Sequence, residues 1–144
     1  GNCFSAFRIW GPGRTAKLKL DFSVMISPAM FKEFVSPYLE EQCEKLDFAV
    51  YHLDGDDCIR HRYALLGISG LKAIQWTPQS GWPGTGSATW YGRYKRILRA
   101  GKSLLLLDVE PHHFEPLLHS VDTKGVLIAT TARTIDEAHK LLHG

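Results

Sequence analysis

Hydrophobic residues along the chain follow two alternating patterns. Short apolar runs rich in β-branched and aromatic residues, such as Phe48 to Leu53, are followed by segments in which apolar residues recur three and four positions apart. The first pattern predicts a buried strand and the second an amphipathic helix. Each of five predicted strands is followed by one helix, and the strands begin near Leu18, Phe48, Leu71, Ser103 and Val126. The chain is therefore predicted to be a run of βα units with neighbouring parallel strands.

The predicted organisation is an irregular lead-in over residues 1–17 and a single βα-repeat domain over residues 18–144. The lead-in holds Gly11, Pro12 and Gly13 among aromatic residues without a clear period. The first strand is predicted over Leu18 to Ile26, and Pro37 is expected to kink the helix after it. A chain of 144 residues is short for an eight-stranded TIM barrel, which needs roughly 200 or more. We therefore expect an α/β fold of four to five βα units, a partial barrel.

Composition and charge exclude several classes of function. A net charge of +2 and 44% hydrophobic residues are ordinary for a globular protein and indicate no nucleic-acid partner. No apolar run approaches the ~20 residues of a membrane span. Three cysteines without a CxxC pair favour a reducing compartment, hence the cytoplasm. The one basic cluster is interpreted as the solvated face of a helix and comprises Arg93, Lys95, Arg96, Arg99 and Lys102.

The segment after Phe48 carries the strongest candidate site. The apolar run ends in His52 and Asp54 beside Gly55. Side chains at the carboxyl ends of parallel strands project into a crevice walled by loops, and two residues that are two apart on a strand share a side. We therefore predict His52 as an acid/base and Asp54 as the carboxylate that orients it. The alternative is that both satisfy the turn, with Asp54 or Asp56 capping the next helix.

Other polar or aromatic residues at predicted strand ends are candidate ligand-binding groups: Asp21, Ser23, Gln75, Trp76 and Asp108. Turn polarity is the alternative for Asp21 and Ser23, and packing in the core is the alternative for Trp76. His112 and His113 are adjacent on a predicted helix and are expected to point apart, so no metal ligand is assigned. No cofactor is identified.

Three motifs carry a resemblance to a known family: Asp21-Phe22-Ser23-x-Met25-x-Ser27-Pro28, Tyr51-His52-Leu53-Asp54-Gly55 and Ile74-Gln75-Trp76-Thr77-Pro78. With them, the chain from about Asp21 to its C-terminus resembles the uroporphyrinogen decarboxylase-like superfamily. That superfamily includes the decarboxylase and zinc-dependent methyltransferases that move methyl groups between corrinoid proteins and thiols. The resemblance implies the C-terminal βα units of a TIM barrel.

In the methyltransferase branch, a zinc-binding His-x-Cys pair ends the strand that corresponds to Phe48–Leu53, and a further Cys follows the last strand. Here Asp54 replaces the first Cys, and Thr130-Thr131-Ala132 follows the last strand. Both thiolates are absent, which argues against the soft zinc site of that branch. His52 and Asp54 could still ligate a harder metal together with water.

An incomplete barrel exposes strand edges and an apolar sheet face. We expect two copies to complete a barrel as a homodimer; the alternative is that residues 1–26 fold back over the open edge. Three functions stay open. The chain binds an unidentified small molecule at its strand ends, acts as a decarboxylase or methyltransferase-like enzyme once assembled, or serves as a non-catalytic interaction module.

Overall fold

The computed structural model describes residues 3–4 and 7–143, and its centre is a parallel sheet. The strands are β1 (Cys3–Phe4), β2 (Trp10–Gly11), β3 (Thr15–Leu18), β4 (Phe48–Asp54), β5 (Leu71–Thr77), β6 (Ser103–Val109) and β7 (Val126–Thr130). Five of them form the sheet in the order β3-β4-β5-β6-β7, and every pair is parallel. A two-stranded antiparallel ribbon, β1-β2, precedes this sheet. The predicted α/β fold of consecutive βα units is confirmed.

Helices alternate with the strands. The α-helices are α1 (Pro28–Phe34), α2 (Ser36–Glu44), α3 (Arg62–Gly67), α4 (Tyr91–Arg99), α5 (Pro111–Ser120) and α6 (Ile135–His143). Three short 3-10 helices span Asp21–Met25, Asp56–His61 and Ala88–Trp90. Strands that neighbour each other in sequence are also neighbours in the sheet, so right-handed connections place the helices on one face. No helix within residues 3–4 and 7–143 is long and apolar enough to cross a membrane.

The main core lies between the sheet and these helices. Alternate residues of the central strands point into it, including Leu53, Ile74 and Leu104. They meet Phe31 of α1 and Tyr94 of α4, both of which are fully buried. The side chains between these inward positions, at Val50, Ala73 and Leu105, form a second, smaller cluster on the opposite face.

The segment before β3 covers part of that opposite face. Phe7 is buried against the smaller cluster and Ile9 packs beside it. At the margins, Phe48 and Leu127 keep more than a third of their surface exposed. Residues 7–18 thus supply both β3, which pairs with β4, and the apolar cover for the centre of this face.

The prediction of a first strand over Leu18 to Ile26 is wrong, because β3 ends at Leu18 and a 3-10 helix follows it. Ser23 and Ile26 are buried and lie three positions apart, which is the repeat of a 3-10 helix. The start of β3 is fixed instead by Arg14, whose backbone N–H and guanidinium both donate to the Asp47 carboxylate. That contact joins residues 33 positions apart in the chain and is not visible as a local pattern.

Pro37 does not kink a continuous helix as predicted. The helix ends at Phe34 and α2 begins at Ser36, so Pro37 occupies the first turn of a new helix. A first-turn proline costs little, because its missing N–H would have had no partner within the helix.

The interpretation of the basic cluster as a solvated face is wrong for two of its members. Lys102 is only 8% exposed, and its ammonium donates to the Ile68 carbonyl at 2.6 Å; burial lowers its pKa. Arg93 pairs with Asp56, and its guanidinium lies 5.0 Å from the Trp76 ring and 4.6 Å from the Trp90 ring. Both cations therefore belong to the packed structure.

Candidate functional site

The candidate site lies at the carboxyl ends of β4 and β5, where the His52 side chain projects from the face opposite the helices. The sheet register places His52 beside Gln75 and Asp54 beside Thr77. Only 14% of the His52 side chain is exposed, and its ring packs against Phe7 with the centroids 5.4 Å apart. The Phe7 ring is in turn covered by the ammonium of Lys17. The imidazole is therefore held on two sides, by a neighbouring strand and by the lead-in.

The hydrogen bonds of Gln75 determine which nitrogen of His52 carries the proton. The Gln75 amide group donates to the Trp76 carbonyl and to the Thr77 hydroxyl, both at 2.8 Å. A carbonyl can only accept, so the NH₂ of Gln75 must face it, and Oε1 must face His52 Nδ1, to which it is bonded. Nδ1 therefore carries the hydrogen in the neutral ring. Nε2 is left with a free lone pair.

His52 borders a small recess of about 60 Å³, large enough for a few water molecules or one functional group. The remaining lining consists of Leu20, Asp21, Val24, Asp54 and Cys58. His52 Nε2 lies 3.6 Å from Asp54 Oδ2. The Lys19 ammonium, 2.7 Å from the Asp21 carboxylate, holds the pKa of that carboxyl below its usual range. The recess thus combines an imidazole lone pair with two carboxylates.

Ser23 is positioned as part of the frame behind the recess. Its side chain is buried, and its hydroxyl lies 3.2 Å from Cys58 Sγ. Its carbonyl accepts a hydrogen bond from His61 Nε2 at 2.8 Å. Tyr51 also meets this segment, and burial raises the pKa of that phenol to about 12. Ser23 therefore ties the 3-10 helix Asp21–Met25 to β4 and to the segment that follows β4.

Trp76 and Asp108 lie away from His52. Trp76 follows Gln75 on β5, so it points to the helix face, where it is 1% exposed and makes an edge-to-face contact with Trp90. Trp76 therefore packs in the core, which is the alternative to ligand binding given above for this residue. Asp108 is exposed at the end of β6, two strands from β4, where its φ of 54° accompanies a break in the pairing with β7.

We expect stability to fall as the pH is lowered below about 6.5, because burial lowers the pKa of His61. The unfolded chain takes up a proton at this residue that the folded chain resists, so the folded state loses up to roughly 1.4 kcal/mol per pH unit. The loss is complete only once the pH has passed the lowered pKa. Urea unfolding between pH 7.5 and 5 measures the slope of the free energy of unfolding against pH. It should shrink in His61→Gln and persist in His119→Gln, whose histidine is exposed; equal slopes in the two variants would contradict this.

A second cluster of polar side chains, which was not predicted, lies at the carboxyl end of β6. Glu110 precedes α5, and His112 and His113 occupy its first turn. The two imidazoles do not point apart as expected: their centroids are 4.0 Å apart. Both rings approach Glu110 Oε2, His113 Nδ1 at 3.3 Å and His112 Nε2 at 3.6 Å. Side chains on a helix lean toward its N-terminus, so two consecutive first-turn residues can meet the residue that precedes the helix.

Comparison of the chain with protein-family models, with curated proteins and with solved structures found no match. The assignment of a function therefore depends on the chemistry of the residues described above.

Proposed function

We propose that the chain binds a small polar molecule at the carboxyl ends of its parallel strands, with His52 Nε2 as the central contact. The observation that supports this proposal is the orientation of His52 by Gln75. An imidazole whose Nδ1–H is bonded to a fixed amide keeps its Nε2 lone pair in one direction. That lone pair borders a recess that also holds carboxylate oxygens.

The chemistry of the recess favours a ligand that donates hydrogen bonds. Neutral Nε2 and the carboxylates of Asp21 and Asp54 are all acceptors, so hydroxyl or amine groups suit them. The ammonium groups of Lys17 and Lys19 belong to the same end of the sheet and can meet a carboxylate that extends beyond the recess. Because the recess is small, one group of the ligand enters it and the remainder lies across the strand ends.

Catalysis is the second candidate, and one geometric feature favours it. The Gln75 side chain holds His52 Nδ1, and the Asp54 carboxylate lies beside His52 Nε2. Nε2 can therefore accept a proton next to a carboxylate. A positioned imidazole of this kind serves as a general base. The resemblance to the uroporphyrinogen decarboxylase-like superfamily makes decarboxylation or methyl transfer the reaction to test, in an assembly that completes the barrel.

The proposal also includes a reducing, cytoplasmic setting. The free thiols of the buried Cys43 and Cys58 support it, because a reducing compartment keeps cysteines unpaired.

The binding proposal is tested by titrating the chain with three probes: coproporphyrin as a porphyrin tetracarboxylate, hydroxocobalamin as a corrinoid, and coenzyme M as a thiol. We expect heat from at least one probe in isothermal titration calorimetry. His52→Ala should abolish this heat, and His119→Ala, which removes an exposed histidine of α5, should leave it unchanged. Unchanged binding by His52→Ala would refute the proposal.

Nitrogen-15 chemical shifts of the imidazole test the tautomer. They should report the proton on Nδ1 of His52, and Gln75→Leu should remove that preference.

The exposed Phe48 and Leu127 at the margins of the open sheet face support self-association as part of this proposal. Light scattering at micromolar concentration tests it, and a homodimer mass is the expected result. A monomer at every concentration would instead favour the non-catalytic interaction module or a compact binding unit.

A further inference from the structure

We propose that Glu110, His112 and His113 form a binding site for a zinc-class divalent cation. The three residues each offer one ligand atom, and these atoms all lie within 4.8 Å of one another. The site is at the end of β6 and the start of α5, and it shares no residue with the recess at His52.

The distances approach those of a tetrahedral site. Ligand atoms bound to zinc at about 2.0–2.1 Å with tetrahedral angles lie roughly 3.3 Å apart. Glu110 Oε2 is 3.3 Å from His113 Nδ1 and 3.6 Å from His112 Nε2. The side chain of His112 is 70% exposed, so it can rotate to close the remaining separation.

His113 supplies an independent indication of a missing partner. Its Nδ1 is shielded from solvent and makes no hydrogen bond among the described residues, although Oε2 of Glu110 is close. A buried ring nitrogen without a partner is costly unless a cation or water completes it. Gly86 lies against this ring, and a Cβ at that position would come within 2.4 Å of His113 Cβ. The loop after β5 can therefore cover the site only with glycine there.

The donor set suits zinc more than magnesium or calcium. Two imidazole nitrogens and one carboxylate oxygen are the ligands of many zinc sites with three protein ligands, and such sites keep a fourth position open. Magnesium and calcium take oxygen ligands almost exclusively. The open position would hold water or a small anion, and the bound cation would act on that group as a Lewis acid.

A competing pair of histidines must be removed before the site is tested. His139 and His143 lie four positions apart on α6, with their ring centroids 5.9 Å apart. Histidines with this helical spacing also bind zinc. The experiment therefore uses the tag-free full chain with His139→Ala and His143→Ala as the background.

Titration with zinc chloride by isothermal calorimetry should give one equivalent of binding in that background. His113→Ala and Glu110→Ala should each weaken zinc binding by at least roughly 10- to 100-fold. That is the loss of metal affinity expected when a residue that only supports a metal ligand is removed, so loss of a ligand itself should cost no less. His119→Ala, on the same helix, should leave it unchanged. Cobalt(II) in place of zinc should give the strong visible absorption of a tetrahedral ion, and this absorption should disappear in the same variants.

The absence of binding to the background chain, or equal affinity in His113→Ala and His119→Ala, would overturn the proposal. Circular dichroism identifies any variant that fails to fold. If His113→Ala does so, His112→Ala decides the question, because that ring is exposed and its removal leaves the core intact. Failure of zinc binding leaves the small-molecule proposal at His52 unaffected, since the two sites share no residue.

Discussion

Phe31→Ala is expected to lower the free energy of unfolding by about 3–5 kcal/mol. Phe31 is fully buried, and its ring stacks on that of His61 with centroids 4.3 Å apart and planes 16° apart. The substitution removes this contact and leaves a cavity beneath α1. His61 also holds the Ser23 carbonyl, so the wall of the recess at His52 should loosen with it.

Urea unfolding followed by circular dichroism measures this loss, and Phe34→Ala is the matched control. Phe34 belongs to the same helix but is 58% exposed, so its removal should change stability by less than about 0.5 kcal/mol. Similar losses in the two variants would mean that α1 does not pack through Phe31.

Trp90→Ala is expected to cost a comparable amount, about 3–5 kcal/mol. Trp90 is 2% exposed, and its ring contacts both the Trp76 ring and the guanidinium of Arg93. Its indole N–H also donates to the carbonyls of Pro83 and Gly84, both at 3.1 Å. The same residue therefore fills the core and holds the loop over residues 79–87.

Trp90→Phe separates these two contributions. Phenylalanine keeps most of the packing but leaves the two carbonyls without their donor, so the cost should be about 1–2 kcal/mol. The loop should become sensitive to limited proteolysis in both variants. Trp82→Ala is the control, because Trp82 is half exposed and lies in the same loop. A loop that stays resistant to protease in Trp90→Phe would show that the hydrogen bonds do not hold it.

Hydrophobic spacing predicted the central strands well and the first strand poorly. The strands that begin at Phe48, Leu71, Ser103 and Val126 are rich in apolar residues, and the four consecutive leucines of the third are typical of a strand covered on both faces. The segment from Leu18 to Ile26 alternates apolar and polar residues as a strand does, yet the chain leaves the sheet after Leu18 and forms a 3-10 helix. The start of β3 was also not predictable, because it depends on the distant contact of Arg14 with Asp47.

The site was predictable to the extent that it depends on strand ends. Alternation along β4 places His52 and Asp54 on one side, and pairing with β5 brings Gln75 to His52. The tautomer of His52 was not predictable, because it depends on how the neighbouring amide is bonded. The approach of His112 to His113 was also missed, since helical spacing describes the middle of a helix better than its first turn.

The order of the strands also bears on how the chain folds. Every strand of the five-stranded sheet pairs with the strand before or after it along the chain, so each new pairing closes a loop of only one or two α-helices and their connections. The entropic cost of loop closure is therefore similar at each step, and no strand must wait for a remote partner to be synthesised. Such a chain can nucleate at any adjacent pair and grow outward in either direction.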